Sequence, residues 1–336
     1  MSQPKSTHAH DDRLVIHDLV KGDPLADFSE DVRRGLTSPS KFLFPRYLYD
    51  DLGSQLFDAI CLLPEYYLTR AENEILKRYS AEIVSSIDLP NTLIEMGSGS
   101  ASKTRRVIET LLKDQPELLF VPVDISASAL VRSSRVLLQS YPRLRIEAYA
   151  SEYFGGLAAL AKKQRGRTLA LFLGSNISNF EPTEAEAFLR AMRSVLKPGD
   201  ALLLGVDLKK DRQVLEAAYN DALGVTAAFS RNILVRINRD LEANFFLPAF
   251  RHRAIFNEEQ SRIEIHLESL RTQTVEIRKL DLRVEFREGE LMHTENSYKY
   301  DIPGITALAE QTGFTCDRTW FDSQRRFSSN LLLASG

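Results

Sequence analysis

The chain has 336 residues, of which 43% are hydrophobic, and a formal net charge of −3 from 43 basic and 46 acidic residues. This length and apolar content allow one large or two medium domains with a sizeable core. The near balance of charge gives no electrostatic footprint for a nucleic-acid partner, and the sequence has no run of about 18 apolar residues that would predict a membrane span.

The N-terminal segment and the cysteines bear on the compartment. Residues 1–12 are polar and lack an apolar signal-peptide core, so we expect a disordered tail and no secretion. Cys61 and Cys316 stand far apart in the sequence, which fits a reducing cytosol. The six histidines show no metal-ligand spacing, so no metal site is predicted. We therefore expect a cytoplasmic protein without nucleic-acid or membrane partners. A monomer is also expected, although no feature of the sequence indicates the oligomeric state.

The first part of the chain is rich in aromatic residues. Residues 39–67 contain seven Phe and Tyr side chains, which can pack a small cap or line a pocket. Thr69 and Glu72 then have the spacing of a capping box. This spacing predicts a helix that begins at Thr69 and continues through Leu76 and Ile83.

A glycine-rich turn follows the first predicted strand of an α/β sheet. Residues 92–104 read TLIEMGSGSASKT, with the turn at Gly97 and Gly99 and a helix beginning near Ser102. Such a unit brings backbone N–H groups and a helix N-terminus close to a nucleotide. Ser102 stands where the dinucleotide fingerprint has its third glycine, and a tight turn without a ligand remains an alternative.

Strands and helices alternate after this turn. Strands are predicted at 118–123, 144–149, 168–173 and 201–206, and helices at 105–113, 128–138, 156–163 and from 183 to 197. The strands are continuous apolar runs, as in buried parallel strands. The alternation predicts a doubly wound parallel sheet.

The pattern changes after residue 210. Residues 211–240 are mainly helical, and three segments then alternate with period two, which predicts antiparallel strands of a separate layer at 249–256, 262–267 and 274–277. Near the C-terminus a helix at 306–312 precedes two consecutive strands, 314–321 and 327–334. A hairpin at the end of a parallel sheet is typical of S-adenosylmethionine-dependent methyltransferases, whereas dinucleotide dehydrogenases usually lack it.

These elements predict the fold class and the domain division. The fold class is α/β, a Rossmann-like class I methyltransferase sheet with a terminal antiparallel hairpin, plus a second α+β substrate-binding domain. The methyltransferase domain is expected at 71–209 and 300–336. The substrate-binding domain is expected at 13–70 and 210–299.

Acidic residues follow two of the predicted strands. Asp124 ends the strand after the glycine turn, where a carboxylate can accept hydrogen bonds from the ribose of NAD or of S-adenosylmethionine. Glu152 and Tyr153 follow the next strand, where the acid can bond an adenine amino group and the ring can pack beside the base. A solvated strand end and a surface charge are the respective alternatives.

A third acidic residue belongs to the motif TENS. If residues 294–297 form a strand, Glu295 and Ser297 point to one face and Asn296 to the other. An acceptor and a hydroxyl together match the two nitrogens of a neutral imidazole. From the spacing alone, a solvated Glu/Ser face is the simpler interpretation.

Six motifs occur in order from about residue 41 to the C-terminus: YD at 49–50, LPEYYLTR at 63–70, EMGSG at 95–99, FLGSNISNF at 172–180, AYNDALGVTAAF at 218–229 and TENS at 294–297. Together they resemble the histidine-specific Nα-methyltransferases of ergothioneine biosynthesis. The resemblance implies an enzyme that moves three methyl groups from S-adenosylmethionine to the α-amine of L-histidine, giving trimethylhistidine (hercynine).

The resemblance also implies roles for individual residues. Those expected to hold S-adenosylmethionine are Gly97, Gly99, Lys103, Asp124, Glu152 and Tyr153. Those expected to bind the amino acid are Tyr66, Asn179, Tyr219, Ile265, Glu295 and Ser297, with Asn179 and Tyr219 at the carboxylate and Glu295 and Ser297 at the imidazole. Tyr49 and Tyr66 line the substrate side as candidate catalytic residues, and no dedicated base is identified.

Two positions depart from the pattern of the family. Ile265 stands where family members have Met, close to the substrate side chain. Asn296 replaces the commoner Ile, and on the opposite face of its strand it should matter little. Related enzymes also methylate tryptophan derivatives, but Glu295 favours histidine because a buried carboxylate facing an indole would be costly.

Other functions compatible with parts of the sequence are N-methylation of another amino acid such as tryptophan, an NAD-dependent oxidoreductase and a non-catalytic S-adenosylmethionine-binding protein. The missing third glycine and the terminal hairpin oppose the oxidoreductase. The charge balance and the lack of an Asn/Asp-Pro-Pro-aromatic motif oppose a nucleic-acid methyltransferase.

Overall fold

The computed structural model describes residues 12–19, 23–162 and 166–336. The predicted disordered tail lies outside these ranges except for Asp12, and Lys163, the last residue of one predicted helix, also lies outside. The strands are β1 (Leu14–Asp18), β2 (Thr92–Met96), β3 (Leu118–Asp124), β4 (Leu144–Ala150), β5 (Thr168–Phe172), β6 (Ala201–Asp207), β7 (Phe250–Asn257), β8 (Arg262–Ser269), β9 (Gln273–Ile277), β10 (Leu282–Phe286), β11 (Leu291–Tyr298), β12 (Phe314–Phe321) and β13 (Phe327–Ala334). The helices are α1 (Pro24–Thr37), α2 (Asp51–Ile60), α3 (Leu68–Ser85), α4 (Thr104–Asp114), α5 (Ala127–Ser140), α6 (Tyr153–Leu160), α7 (Pro182–Val195), α8 (Arg212–Tyr219), α9 (Val225–Leu241) and α10 (Ile302–Gln311).

An eight-stranded sheet forms the centre of the molecule, in the order β1-β4-β3-β2-β5-β6-β13-β12. The first six strands in this order are parallel, and β13 and β12 form an antiparallel hairpin at the end. The predicted α/β class and the terminal hairpin are therefore confirmed. The strand order reverses at β2, which pairs with β3 on one side and β5 on the other. In open α/β sheets, ligands bind in the crevice at the carboxyl ends of the strands where the order reverses.

Continuous apolar runs form the central strands because helices cover both faces of the sheet. All five residues of β2 are buried. Within β2, the adjacent residues Leu93 and Ile94 point to opposite faces of the sheet and belong to two separate hydrophobic clusters. Hydrophobic packing on both faces thus stabilises the sheet, and the carboxyl ends of its strands can position site residues rigidly.

One strand of the large sheet was not predicted. β1 pairs in parallel with β4 at the edge of the sheet, so the assignment of residues 13–70 to the substrate-binding domain is wrong for this strand. β1 has only five residues, and Val15 and Ile16 are exposed. Such a short, exposed strand lacks the alternation that marks a half-buried strand in sequence.

The helix predicted through Leu76 and Ile83 is present as α3, but the capping box predicted at Thr69 and Glu72 is wrong. The helix begins at Leu68, so Thr69 lies inside it, and the N-cap residue Tyr67 makes no side-chain capping bond. Glu72 is fully buried, and its carboxylate accepts the backbone N–H of Gly174 instead of capping the helix. A buried carboxylate gains more from such partners than from a helix end that water can satisfy.

Two small antiparallel sheets lie outside the large one. β11, β8 and β7 form a three-stranded sheet, and β10 pairs with β9. In β11 the register shifts between His293 and Glu295, which places Glu295 opposite Ile265 of β8. The bulge at Thr294 turns His293 and Glu295 to opposite faces of the strand. None of the helices in the described ranges is both long and apolar enough to span a bilayer.

Candidate active site

The glycine turn after β2 adopts a backbone that favours glycine. Gly97 has φ 72° and Gly99 has φ 48°, both in the left-handed region. A Cβ atom on Gly97 would lie 2.8 Å from Asn176 Nδ2 and 2.8 Å from Tyr153 Oη, whereas a Cβ on Gly99 would meet no atom within 4 Å. Gly97 thus permits close packing of its neighbours, and Gly99 exposes its backbone to open space.

Asp124 stands beside this turn at the end of β3. Its Oδ2 accepts the N–H of Gly99 and its Oδ1 accepts the N–H of Ser126, each at 2.9 Å. Burial raises the pKa of Asp124 above its usual value, although these backbone bonds oppose the shift. A carboxylate has about four acceptor sites, so each oxygen retains capacity for a further donor such as a ribose hydroxyl.

Glu152 and Tyr153 occupy different surroundings. The phenol ring of Tyr153 packs edge-on against Phe172 and Phe180, and its hydroxyl reaches Gly97. Burial and the nearby Asp124 carboxylate raise the pKa of Tyr153, so the hydroxyl stays protonated. Glu152 is exposed and forms an ion pair of 3.2 Å with Arg46. The structure therefore brings Tyr153 to the glycine turn and leaves Glu152 at the rim.

Lys103 precedes α4 and pairs with a buried carboxylate. Its Nζ lies 2.5 Å from Glu72 Oε2, and both Glu72 oxygens lie 2.9 Å from the backbone nitrogen of Gly174. Burial alone would lower the pKa of Lys103, but Glu72 raises it, so the lysine is charged. This contact ties the turn after β5 to the beginning of α4. Sequence reasoning missed Glu72 because it assigned that residue to the helix cap.

A cavity next to the glycine turn contains every residue expected to bind the amino acid. Among the residues that line it, those expected from the sequence to bind the substrate or face it are Tyr49, Tyr66, Asn179, Tyr219, Ile265, Glu295 and Ser297. They come from the N-terminal aromatic segment, the turn after β5, α8 and the three-stranded sheet. The chain segments meet at this cavity although they are widely separated in sequence.

Aromatic rings form one wall of this cavity. Tyr49 packs edge-on against Phe57 and Phe229, with ring centroids 5.5 and 5.3 Å apart, and Tyr66 packs edge-on against Tyr219 at 6.1 Å. Burial raises the pKa values of Tyr49 and Tyr66 well above that of a free phenol. Both hydroxyls are therefore protonated near neutral pH. Sequence reasoning did not single out Phe57 or Phe229, whose only signal was their position within aromatic and motif segments.

Glu295 provides the acidic group of the cavity. Its side chain is 7% exposed, and burial raises its pKa to about 7, an effect that the charge of Lys299 partly opposes. Ser297 points to the same cavity, as strand alternation predicts. Asn296 points to the other face, where it donates to Glu181 at 2.7 Å and contacts His293 at 2.8 Å. Asn296 is thus absent from the cavity lining but connects β11 to the N-terminus of α7.

Hydroxyl groups and a buried lysine form the polar end of the cavity. Tyr219 Oη and Ser297 Oγ are 2.8 Å apart, and Lys299 Nζ lies 2.8 Å from the first and 2.9 Å from the second. Lys299 also pairs with Asp207 at the carboxyl end of β6. No pattern in the sequence indicated Lys299 or Asp207 as site residues, because a single Lys or Asp has no informative spacing.

Asn176 lies where the two parts of the site meet. It lines the amino-acid cavity, and its Nδ2 approaches the backbone of Gly97 closely enough that only glycine fits there. The groups expected at the donor and those expected at the acceptor are therefore adjacent. This proximity is what a direct transfer between two bound molecules requires.

The glycine turn has room and polar groups for S-adenosylmethionine. Ser98 Oγ is buried and has no hydrogen-bond partner among the described residues, and the space over Gly99 is open. Asp124 contacts Gly99, and charged Lys103 lies close to Gly174 in the turn after β5. The residues present fit a ligand with ribose hydroxyls and a carboxylate. In the described ranges, no group of three His, Cys, Asp or Glu side chains could hold a metal ion.

A second cavity, of about 490 Å³, lies at the opposite edge of the large sheet. It is lined by Asp88, Leu89, Gly166, Arg167, Lys197, Pro198 and Asp200, none of which is a predicted site residue. It adjoins the amino-terminal ends of β5 and β6, where α/β sheets do not place their ligand sites. We therefore assign the chemistry to the smaller cavity at the carboxyl edge.

Comparisons with known proteins show the family of the chain. Residues 28–334 match the family described as "Histidine-specific methyltransferase, SAM-dependent". The chain is 41% identical over 319 residues to the histidine N-alpha-methyltransferase of Mycolicibacterium smegmatis, covering 95% of this chain and 98% of that protein. It is 42% identical over 301 residues to the enzyme of the same name from Mycobacterium tuberculosis, covering 90% and 93%. It is 29% identical over 276 residues to ergothioneine biosynthesis protein 1 of Schizosaccharomyces pombe, covering 80% of this chain and 35% of that protein. The chain belongs to the histidine-specific, S-adenosylmethionine-dependent methyltransferases.

Proposed function

We propose that the protein transfers three methyl groups from S-adenosylmethionine to the α-amine of L-histidine, giving trimethylhistidine, a step of ergothioneine biosynthesis. The observation that carries this proposal is the placement of Glu295 and Ser297 on one face of β11, in the cavity whose lining residue Asn176 packs against Gly97. A carboxylate and a hydroxyl at this spacing complement the two ring nitrogens of histidine. The relatives named as histidine N-alpha-methyltransferases support the same substrate.

The residues around the glycine turn hold the methyl donor in this proposal. Asp124 accepts hydrogen bonds from the ribose hydroxyls, and charged Lys103 attracts the carboxylate of the methionine part. Tyr153 packs beside the base, and Glu152 bonds its amino group from the rim. When bound, S-adenosylmethionine supplies an electrophilic methyl group on a positively charged sulfur.

The residues of the cavity hold the amino acid. Asn179 and Tyr219 bind the α-carboxylate, and Glu295 and Ser297 bind the imidazole ring. Four such contacts fix the substrate at both ends, so the α-amine between them is oriented without a group that clamps it. Orientation of this kind can supply about 7–11 kcal/mol of the barrier of a bimolecular displacement.

The amine must be unprotonated to attack. A pocket that removes water from an ammonium group lowers its pKa, and the aromatic wall of Tyr49 and Tyr66 provides such surroundings. Because burial keeps both phenols protonated, they orient the amine through hydrogen bonds and do not act as bases. As methyl groups are added, these hydroxyls lose their partners in turn and can move aside.

The test of this function is mass spectrometry after incubation of the protein with S-adenosylmethionine and each of the twenty amino acids separately. We expect a product with three added methyl groups from L-histidine. Methylation of tryptophan in place of histidine would overturn the substrate assignment but keep the enzyme class. Binding of S-adenosylmethionine without any methylation would indicate a non-catalytic protein. A cytoplasmic location and a monomeric state stay predictions, and light scattering tests the second.

A further inference from the structure

Lys299 makes three polar contacts at the end of the amino-acid cavity. It directly follows β11, its side chain is fully buried, and its ammonium lies 2.9 Å from Asp207 Oδ2. It also donates to Tyr219 Oη at 2.8 Å and to Ser297 Oγ at 2.9 Å. An ammonium group has three N–H donors and no acceptor. All three donors of Lys299 are therefore used, and both hydroxyl oxygens accept from it.

The two hydroxyl groups are also in contact with each other, at 2.8 Å. One hydrogen bond holds one proton, so only one hydroxyl proton lies between Tyr219 and Ser297, and Lys299 occupies an acceptor position on each oxygen. The remaining proton has to point elsewhere, and both side chains line the cavity. Toward a ligand, the pair therefore acts as a donor.

The charge of Lys299 is maintained by its partner on β6. Burial by itself would lower the pKa of Lys299, but Asp207 raises it above the usual value. Burial would likewise raise the pKa of Asp207, but Lys299 and Lys210 lower it. Tyr67 also donates to Asp207, at 2.8 Å. The Asp207 carboxylate and Lys299 thus stay ionised, whereas burial lowers the pKa of Lys210 to about 8 although Asp207 opposes this shift. The ammonium of Lys299 remains a fixed source of N–H donors.

We infer that Lys299 is a positioning residue for amino-acid recognition: it occupies an acceptor position on both Tyr219 and Ser297, so that the hydroxyl proton not shared between them is donated to the bound substrate. The inference rests on the proposed function, in which these hydroxyls face the carboxylate and a ring nitrogen. A carboxylate and a neutral imidazole both offer an acceptor, whereas an imidazolium has none left. When Ser297 donates this proton, the site favours the neutral ring of histidine over the imidazolium.

Lys210 provides a matched control. It contacts Asp207 at 2.5 Å and Tyr67 at 2.8 Å, so it belongs to the same ion-pair cluster. It makes no hydrogen bond to Tyr219 or Ser297 in the described part of the chain. A purely structural role of the cluster would make Lys210→Met and Lys299→Met equivalent, whereas a positioning role would not.

The experiment compares these variants by calorimetry, with L-histidine and with S-adenosylhomocysteine as ligands. We expect Lys299→Met to weaken histidine binding about 10- to 150-fold, the loss that corresponds to hydrogen bonds involving a charged group. The affinity of Lys299→Met for S-adenosylhomocysteine should change little. Lys210→Met should not weaken the binding of either ligand to the extent expected for histidine in Lys299→Met. Equal losses for both ligands, or equal losses in both variants, would show a structural role and overturn the inference.

Two further variants separate folding from positioning. Lys299→Met leaves Asp207 with one cation fewer, so Lys299→Met/Asp207→Asn is tested in case the single variant unfolds. This double variant should be more stable than Lys299→Met but should bind histidine no more tightly. In the background Tyr219→Phe/Ser297→Ala, Lys299→Met should cause little further loss, because Lys299 acts through the two hydroxyls. A full additional loss in that background would contradict the inference.

A measurement without substrate distinguishes this inference from the proposed function. With tyrosine labelled at ¹³Cζ, the signal of Tyr219 is identified by its disappearance in Tyr219→Phe. The chemical shift of this signal should change in Lys299→Met, or in Lys299→Met/Asp207→Asn if the single variant unfolds. It should not change in Lys210→Met. An unshifted signal would overturn the inference even if histidine proves to be the substrate. A shifted signal in a protein that does not bind histidine would support the Lys299 contact and reject only the proposed substrate.

Discussion

Ile265 on β8 lies directly opposite Glu295 on β11, and both side chains line the amino-acid cavity. Residues opposite each other in an antiparallel pair have Cβ atoms about 4.5–5.5 Å apart. An aliphatic and an acidic group are thus presented together to the side chain of the substrate. Their combination sets both the polarity and the width of this part of the cavity.

The first prediction concerns substrate selection. Glu295→Ala should lower kcat/KM for histidine about 5- to 150-fold, because a ring nitrogen loses its partner at a cost of about 1–3 kcal/mol. The same change removes a charge and opens space, so tryptophan should be accepted relatively better. Ile265→Ala should shift the preference in the same direction by widening the cavity. Steady-state kinetics with both amino acids measures the ratio.

Asn296→Ile is the matched control, since Asn296 is the neighbour of Glu295 on the other face. It should leave the histidine-to-tryptophan ratio unchanged. Its loss of the bond to Glu181 should appear as a lower melting temperature. If Glu295→Ala also leaves the ratio unchanged, the assignment of Glu295 to the imidazole is wrong.

The second prediction concerns the methyl donor. Asp124→Ala should weaken binding of S-adenosylhomocysteine by on the order of 1.5–3 kcal/mol, the range for hydrogen bonds to a charged group. Asp200 is the control, because it also accepts two backbone N–H groups, at 3.0 and 2.9 Å, but at the opposite edge of the sheet. Asp200→Ala should lower stability and leave the affinity intact. Calorimetry showing equal affinities for the two variants would remove Asp124 from the site.

The third prediction separates backbone strain from contact at the glycine turn. Gly97 and Gly289 have similar φ values, 72° and 79°, so an alanine is strained at either position. Only at Gly97 would the added Cβ meet other atoms, since nothing lies within 4 Å of a Cβ on Gly289. Gly97→Ala should therefore abolish methyl transfer, and Gly289→Ala should lower only the melting temperature. Comparable activity in the two variants would mean that close packing at Gly97 is not needed.

The fourth prediction is a pH dependence of stability. Glu95 on β2 is buried, Thr104 donates to one of its oxygens, and the other oxygen has no partner in the described structure. Burial raises its pKa to about 8, whereas an unfolded chain has a Glu pKa of about 4.3. Between these values the folded state binds more protons than the unfolded state. The stability of the wild type should therefore fall as pH rises through this window.

Glu95→Gln is uncharged in both states and lacks this dependence. We expect the unfolding free energy of the wild type, relative to Glu95→Gln, to decrease by on the order of 2 kcal/mol or more from pH 5 to pH 8.5. Urea denaturation of both proteins at the two pH values measures it. A difference that is constant with pH would place the native pKa of Glu95 near its ordinary value.

The structural features of the candidate site that the sequence predicts correctly are those with a local pattern. The glycine turn and Asp124 follow apolar strands, whose burial in a parallel sheet dictates continuous runs of hydrophobic residues. Glu295 and Ser297 share a face because alternation holds within the end of β11, even though a bulge precedes Glu295. Their identification as ligands came from the resemblance, since the spacing alone equally allowed a solvated face.

The parts that escape prediction depend on contacts between distant segments. The pairs Lys299–Asp207 and Lys103–Glu72 join elements that become neighbours only in the folded chain. A buried charge is stable only with its partner, and no local pattern reveals which partner that is. β1 is missed for a different reason, because an edge strand needs little apolar surface.

The aromatic wall, which includes Phe57 and Phe229 as well as Tyr49 and Tyr66, has a consequence for the last stage of the proposed trimethylation. Each methyl group removes an N–H donor from the amine, and the third leaves a permanently charged quaternary ammonium that cannot form ordinary hydrogen bonds. Aromatic rings attract such cations through their quadrupoles, independently of any N–H group. A cavity lined by aromatic rings can therefore bind the substrate through all stages of methylation, whereas a wall of amide groups would lose a hydrogen-bond partner with each methyl group.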